Sequence, residues 1–212
     1  MNRGLIEFSR EELEKMATRL DGMPRSITEA EIAPLPMGGY DGPVEIIDTQ
    51  AALTKALEVI RSWDITGIDT ETRPSFRKGE HHSPALLQIA GPGLVFLFRL
   101  HVLGFAPGLR SFMNNKSVLK VGIALENDIP ELAWMGRFSP AGMVDLNQLC
   151  TQLGFKSVGA RKLAALFLNI RISKGQQTSN WENPELKPAQ IRYAATDAWV
   201  CREIYLKLMG IH

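Results

Sequence analysis

The chain has 212 residues, 45% of them hydrophobic and 22% charged, which is enough for one globular domain with its own core plus a short extension and too apolar for a disordered chain. Its 24 Lys and Arg against 23 Asp and Glu leave a formal net charge of +1, which excludes a basic nucleic-acid coat and an acidic tail protein. Cys150 and Cys201 lie far apart and form no CxxC, so a disulfide framework and a cysteine zinc site are excluded; with no apolar leader and no run approaching the ~18 apolar residues of a membrane span, the chain reads as intracellular and cytoplasmic.

In chain order, Ser9 followed by Glu12 fits a capping box, and Leu13, Met16, Ala17 and Leu20 repeat at helical spacing, predicting a helix over about 10–20. Ala33-Pro34-Leu35-Pro36-Met37-Gly38-Gly39 breaks both helix and strand, so residues 1–40 read as an N-terminal arm and 41–212 as the main domain. Val44–Ile47 is a short strand, and Ala52, Leu53, Ala56, Leu57 and Ile60 form a helical stripe. Strands are predicted at 65–71, 85–89 and 94–98, the last two joined across the hairpin signal Gly91-Pro92-Gly93, and another at 118–123. Beyond 124 the pattern is mostly helical: Asp145 with Gln148 suggests a capping box opening a helix at 146–153, Arg161–Leu168 is a further helix, and Pro188 suits the first turn of a last helix ending near Met209. Helices between and after the strands imply an α/β domain with a mixed sheet, antiparallel over the hairpin and covered by helices.

Three placements of acidic residues depart from a solvated surface. Asp69 and Glu71, at i and i+2 of an apolar strand, share one face, where two carboxylates repel each other and lose hydration. Asp128 opens a helix just after the strand ending Val121-Gly122-Ile123. Asp197 sits mid-helix among Ala194, Ala195, Ala198, Trp199 and Val200, with Tyr193 one turn earlier on the same face. If the three elements converge, oxygen-only ligands suit Mg²⁺ or Mn²⁺ rather than zinc.

These residues carry a resemblance. Gly67-Ile68-Asp69-Thr70-Glu71, the stretch Lys120–Asp128 and Tyr193-Ala194-Ala195-Thr196-Asp197 resemble, in order, the three motifs of the DEDD superfamily of 3′–5′ exonucleases in its tyrosine form, and Ser179-Asn180-Trp181 is similar to the RNase D and Werner exonuclease branch. The resemblance covers roughly residues 44–209. It implies a ribonuclease H-like fold, with two Mg²⁺ or Mn²⁺ ions held by Asp69, Glu71, Asp128 and Asp197. It implies Tyr193 orienting the attacking water, and hydrolysis at nucleic-acid 3′ ends, DNA or RNA, releasing nucleoside 5′-monophosphates. No membrane and no organic cofactor are expected. The alternative is a non-catalytic nucleic-acid-binding or scaffold module on the same fold.

Substrate contacts are expected from the polar loop after Glu71, with Thr72, Arg73, Arg77 and Lys78, and from a basic cluster with Arg161, Lys162 and Lys174, to which Lys156 and Arg171 belong. Phe76 and Trp181 are candidates to stack on a base, although packing is the stronger expectation for Trp181.

Overall fold

The computed structural model of the chain describes residues 4–75, 77 and 79–211. Its elements in chain order are α1 (Arg10–Arg19), α2 (Glu29–Ile32), β1 (Val44–Ile47), α3 (Gln50–Arg61), β2 (Ile65–Thr72), β3 (Pro84–Gly91), β4 (Leu94–Arg99), α4 (Leu100–Leu103), α5 (Pro107–Met113), β5 (Leu119–Gly122), α6 (Leu125–Met135), β6 (Met143–Asp145), α7 (Leu146–Gln152), α8 (Ala160–Leu168) and α9 (Pro188–Met209). The strands form one mixed sheet in the order β1-β4-β3-β2-β5-β6. The central trio β4-β3-β2 is antiparallel, whereas β1 on β4, β5 on β2 and β6 on β5 are parallel. Gly93, at a φ of +70°, turns the β3–β4 hairpin in the left-handed conformation that suits glycine.

Both faces of the sheet are covered, which explains why β3 is buried at every position and reads as a continuous apolar run rather than an alternating one. On one face Phe96 and Phe98 pack with Ile60 of α3, Phe112 of α5 and Leu132 of α6. On the other, Val121 and Val144 meet Leu149, Leu163 and Ile204 of α7, α8 and α9. A third cluster joins Leu86, Ala90 and Leu97 to Ala194, Ala195 and Ala198 of α9. Strand β6 and the short helices α2, α4 and α5 escape a periodicity reading because each spans fewer than two turns or two alternations.

The Ser9–Glu12 capping box forms as expected, with the Ser9 N–H donating to Glu12 Oε2 at 2.8 Å and the Glu12 N–H to Ser9 Oγ at 3.3 Å. Asp145 caps α7 differently from the expected box. Its Oδ1 accepts the N–H groups of Asn147 and Gln148, at 2.8 and 3.3 Å, while Oδ2 reaches across to the Leu125 N–H at 2.8 Å. One carboxylate thereby fixes the starts of α7 and α6.

The segment before β1 lies along the sheet domain. The Ile6 N–H donates to the Met143 carbonyl at 2.8 Å, and Met16 and Leu20 of the α1 region are buried with Tyr205 and Leu208. Among the described residues no helix is long and apolar enough to cross a membrane, and both cysteines are buried and free.

Candidate carboxylate metal site

The site begins with a glycine. Gly67 of β2 faces α9, and a Cβ there would lie 1.9 Å from the Ala198 carbonyl oxygen and 2.9 Å from the Arg202 nitrogen. Only a residue without a side chain lets the helix backbone lie on the strand this closely, and Ala194, Ala195 and Ala198 keep the helix side of the contact thin. Arg202 Nε adds a hydrogen bond to the Ile65 carbonyl at 3.2 Å. Two residues along, Asp69 and Glu71 point to the same side and meet Asp197 of α9: ligand atoms of all three lie within 4.8 Å of one another. The register of β2 on β3 shifts between Glu71 and Thr72, just past the acidic pair.

Asp128 arrives from α6. The chain leaves β5 through Ala124 in the left-handed conformation, φ +59°, and the Leu125 N–H is held by Asp145, which directs the first turn of α6 toward the end of β2. There the Thr70 hydroxyl donates to Asp128 Oδ1. Thr70 lies between Asp69 and Glu71, so a single strand presents two acids on one side and a tether for the third element on the other.

The electrostatics are those of crowded like charges. Asp69 is driven well above the usual carboxylate range by burial, then by Asp197, Asp128 and Glu71. Glu71 is pushed up to about 9 by burial and then by Asp197 and Asp128. Burial raises Asp197 to about 7 against the opposing effect of the Tyr193 hydroxyl, and raises Asp128 to about 6 against that of Thr70. None of the ion pairs among the described residues involves these four acids. An all-oxygen donor set, partly desolvated and without a basic partner, fits a divalent cation. Tyr193 is pushed up by burial, then by Asp197 and Glu71, so its hydroxyl keeps its proton.

A cavity of about 400 Å³ opens beside Tyr193 and Asp197, and Arg161, Lys162 and Lys174 also line it. Arg161 is engaged by Glu29 at 2.6 Å. Lys156 is exposed outside this cavity, and the Arg171 backbone is taken up by residues 36–38. Thr72 is half-buried at the end of β2, Arg73 pairs with Glu182 at 3.1 Å, and Arg77 is exposed; Phe76 and Lys78 lie outside the described residues. Trp181 is 0% exposed, its ring 6.0 Å from that of Tyr193. It has no face to offer a base, which corrects the stacking expectation: it is a packing wall behind Tyr193.

Sequence reasoning missed Gly67, Thr70 and Glu29, and it foresaw Asp145 as a cap of α7 but not its hold on Leu125. A glycine inside a strand pattern does signal a close backbone approach, and that clue was available. Thr70 reaches Asp128 and Asp145 reaches Leu125 across 58 and 20 residues, and no local pattern announces either contact.

Residues 44–211 match the 3′–5′ exonuclease domain family. Exonuclease 3′–5′ domain-containing protein 2 of Drosophila melanogaster is 35% identical over 164 residues, covering 76% of this chain and 28% of that protein. Ribonuclease D of Gluconacetobacter diazotrophicus is 30% identical over 179 residues, covering 81% of this chain and 43% of that protein. The chain thus spans less than half the length of these curated relatives. Among solved structures, the EXO domain of Aedes aegypti Nibbler superposes with a TM-score of 0.74 at 22% identity, covering 82% of this chain and 91% of that one. Escherichia coli RNase D superposes with a TM-score of 0.72 at 21% identity, covering 79% and 44%. These likenesses establish the ribonuclease H-like fold, and with the match over 44–211 the chain belongs to the 3′–5′ exonuclease family of the DEDD superfamily.

Proposed function

We propose that the chain is a metal-dependent 3′–5′ exonuclease that hydrolyses the terminal phosphodiester of a nucleic-acid strand and releases nucleoside 5′-monophosphates. The observation that carries this reading is the convergence of Asp69, Glu71 and Asp197, with Asp128 tethered alongside, in a site with no basic partner among the described residues. Two Mg²⁺ or Mn²⁺ ions held by these four acids would supply a water of lowered pKa and charge stabilisation for the leaving 3′ oxygen.

The chain's own residues account for the rest. Asp69 and Glu71, fixed on a central strand, present their carboxylates without rearrangement. Asp197 is held against them by the contact of α9 with Gly67. The Tyr193 hydroxyl, kept protonated, orients the attacking water by hydrogen bonding and is no general base. Lys162 and Lys174 line the same cavity, where ammonium groups hold a phosphate backbone without reading its sequence. The substrate class is nucleic-acid 3′ ends: a relative is named ribonuclease D, and Trypanosoma brucei RNase D has been solved with RNA U12.

The test is digestion of matched 5′-labelled DNA and RNA strands with Mn²⁺ or Mg²⁺. A ladder of products shortened one nucleotide at a time, lost in Asp69→Ala, is the expected result. Absence of a ladder on both strands, or an Asp69→Ala variant as active as the wild type, refutes the reading.

A further inference from the structure

The segment from residue 25 to residue 40 precedes the family match, which begins at 44, yet it is fastened along the site. Ile27 and Ser157 exchange two hydrogen bonds at 3.2 and 3.3 Å, and Glu29 pairs with Arg161. Further on, the Arg171 N–H donates to the Pro36 carbonyl at 2.9 Å and the Gly38 N–H to the Arg171 carbonyl at 3.0 Å. The Tyr40 N–H donates to Thr196 Oγ1 of α9 at 2.9 Å.

Two glycines make this seating possible. A Cβ on Gly38 would come within 2.8 Å of the Ile170 side chain, and one on Gly39 within 2.9 Å of Thr196 Oγ1. The segment is therefore wedged between the 170–173 strip and α9, with no room for a side chain on either side.

What it encloses is a second cavity, about 280 Å³, walled by Met37 and Gly38 on one side and by Ser173, Gln176, Arg192 and Tyr193 on the others. Tyr193 and Ser173 also line the cavity that holds Asp197, Lys162 and Lys174, so the two spaces adjoin across the tyrosine. Their chemistry differs. The first offers carboxylates and ammonium groups. The second is mostly apolar, with the Met37 side chain standing 58% exposed at its rim and the exposed Arg192 guanidinium beside it. Its volume is at the small end of ligand pockets, roughly 300–1,000 Å³. Among the described residues Arg192 is the single cation in its lining, whereas the first cavity offers Arg161, Lys162 and Lys174 to a phosphate. A polarizable thioether and a planar guanidinium both favour the face of an aromatic ring.

We propose that this cavity is a nucleobase subsite for one of the last two nucleotides of the strand, with Met37 as a contact residue and Gly38-Gly39 as the pin that seats it. The proposal rests on the nuclease reading for the identity of the strand, and its test is separable from that reading.

The full chain is assayed on three strands: complete, abasic at the terminal nucleotide, and abasic at the penultimate one. Met37→Ala is expected to raise KM for the complete strand roughly three- to ten-fold with kcat unchanged, and to have no effect on the strand abasic at one of the two positions. Gly38→Ala, which must displace the segment from Ile170, is expected to show the same dependence on the base. The same comparison by fluorescence anisotropy with Ca²⁺ in place of Mn²⁺ reads binding alone. A Met37→Ala effect equal on all three strands, or none on the complete strand in either measurement, overturns the subsite. A wild type that cleaves no strand overturns the nuclease reading, and the binding comparison still decides the subsite.

Discussion

Asp145 and Asp69 are both aspartates near the carboxyl ends of neighbouring parts of one sheet, and the molecule treats them in opposite ways. Asp145 is 5% exposed and accepts three backbone N–H groups at the starts of two helices, where its charge is answered by peptide dipoles. Lys120 on β5 is a cationic counterpart: fully buried, it donates to the carbonyls of Asn115 and Val118, at 2.5 and 2.9 Å, and burial lowers it to about 8. The acids of the site have far less. Thr70 serves Asp128, Tyr193 faces Asp197, and beyond that the carboxylates mainly face one another. Burial of a charge does not distinguish a structural residue from a functional one. Unanswered lone pairs beside like charges do, because folding alone gains nothing from that arrangement.

The contrast is sharpest in paired substitutions. Asp69→Ala is expected to lower kcat by roughly 10³-fold or more while leaving the melting temperature of the metal-free protein unchanged or raised, since a repelling charge is removed. A parallel fall in melting temperature would make Asp69 structural and break the comparison. Gly67→Ala is expected to lose activity and about 1–3 kcal/mol or more of stability, because the new methyl meets the Ala198 carbonyl and must push α9 and Asp197 away. Urea denaturation alongside the digestion assay reads both effects. Asp145→Ala should cost about 2–4 kcal/mol of stability, with the activity of the folded fraction falling only as far as α6 and Asp128 shift.

A pH titration divides the two regions without mutation. The site carboxylates are raised in the folded state, so their contribution to the stability of metal-free protein is present in acid and is lost as pH rises through about 6 for Asp128, 7 for Asp197 and 9 for Glu71. The metal-free melting temperature should therefore decline between pH 5 and 9, and Mn²⁺ should reverse the decline with an affinity that increases over the same range. A flat profile would mean that these carboxylates do not compete with one another as the geometry demands. The smallest expected effect is that of Thr70→Val, about ten-fold in kcat/KM, from leaving Asp128 without its hydroxyl donor.

Much of this arrangement was legible in the sequence. The strand at 65–72, the hairpin about Gly93 and the helix opened by Pro188 follow from apolar spacing and turn chemistry. Asp69, Glu71 and Asp197 could be singled out because acids in apolar stretches are costly without a partner. The basic residues were less legible. Arg161, Lys162 and Lys174 all line the cavity, but Arg161 is held by Glu29 and Arg73 by Glu182, and charge patterning has no means of foreseeing which partner a long side chain meets. Trp181 was ambiguous for a similar reason: an aromatic residue suits both a base and a core, and only its burial decides.

By itself the sequence determined the periodicities, and with them the strands, the helices and the residue types able to hold a divalent ion, since these depend on neighbours a few positions away. The tertiary structure decided that three elements converge, because convergence depends on a 1.9 Å clash that glycine at position 67 avoids and on a carboxylate at 145 that aims the helix bearing Asp128. Those are contacts between distant parts of the chain, and local spacing carries no record of them.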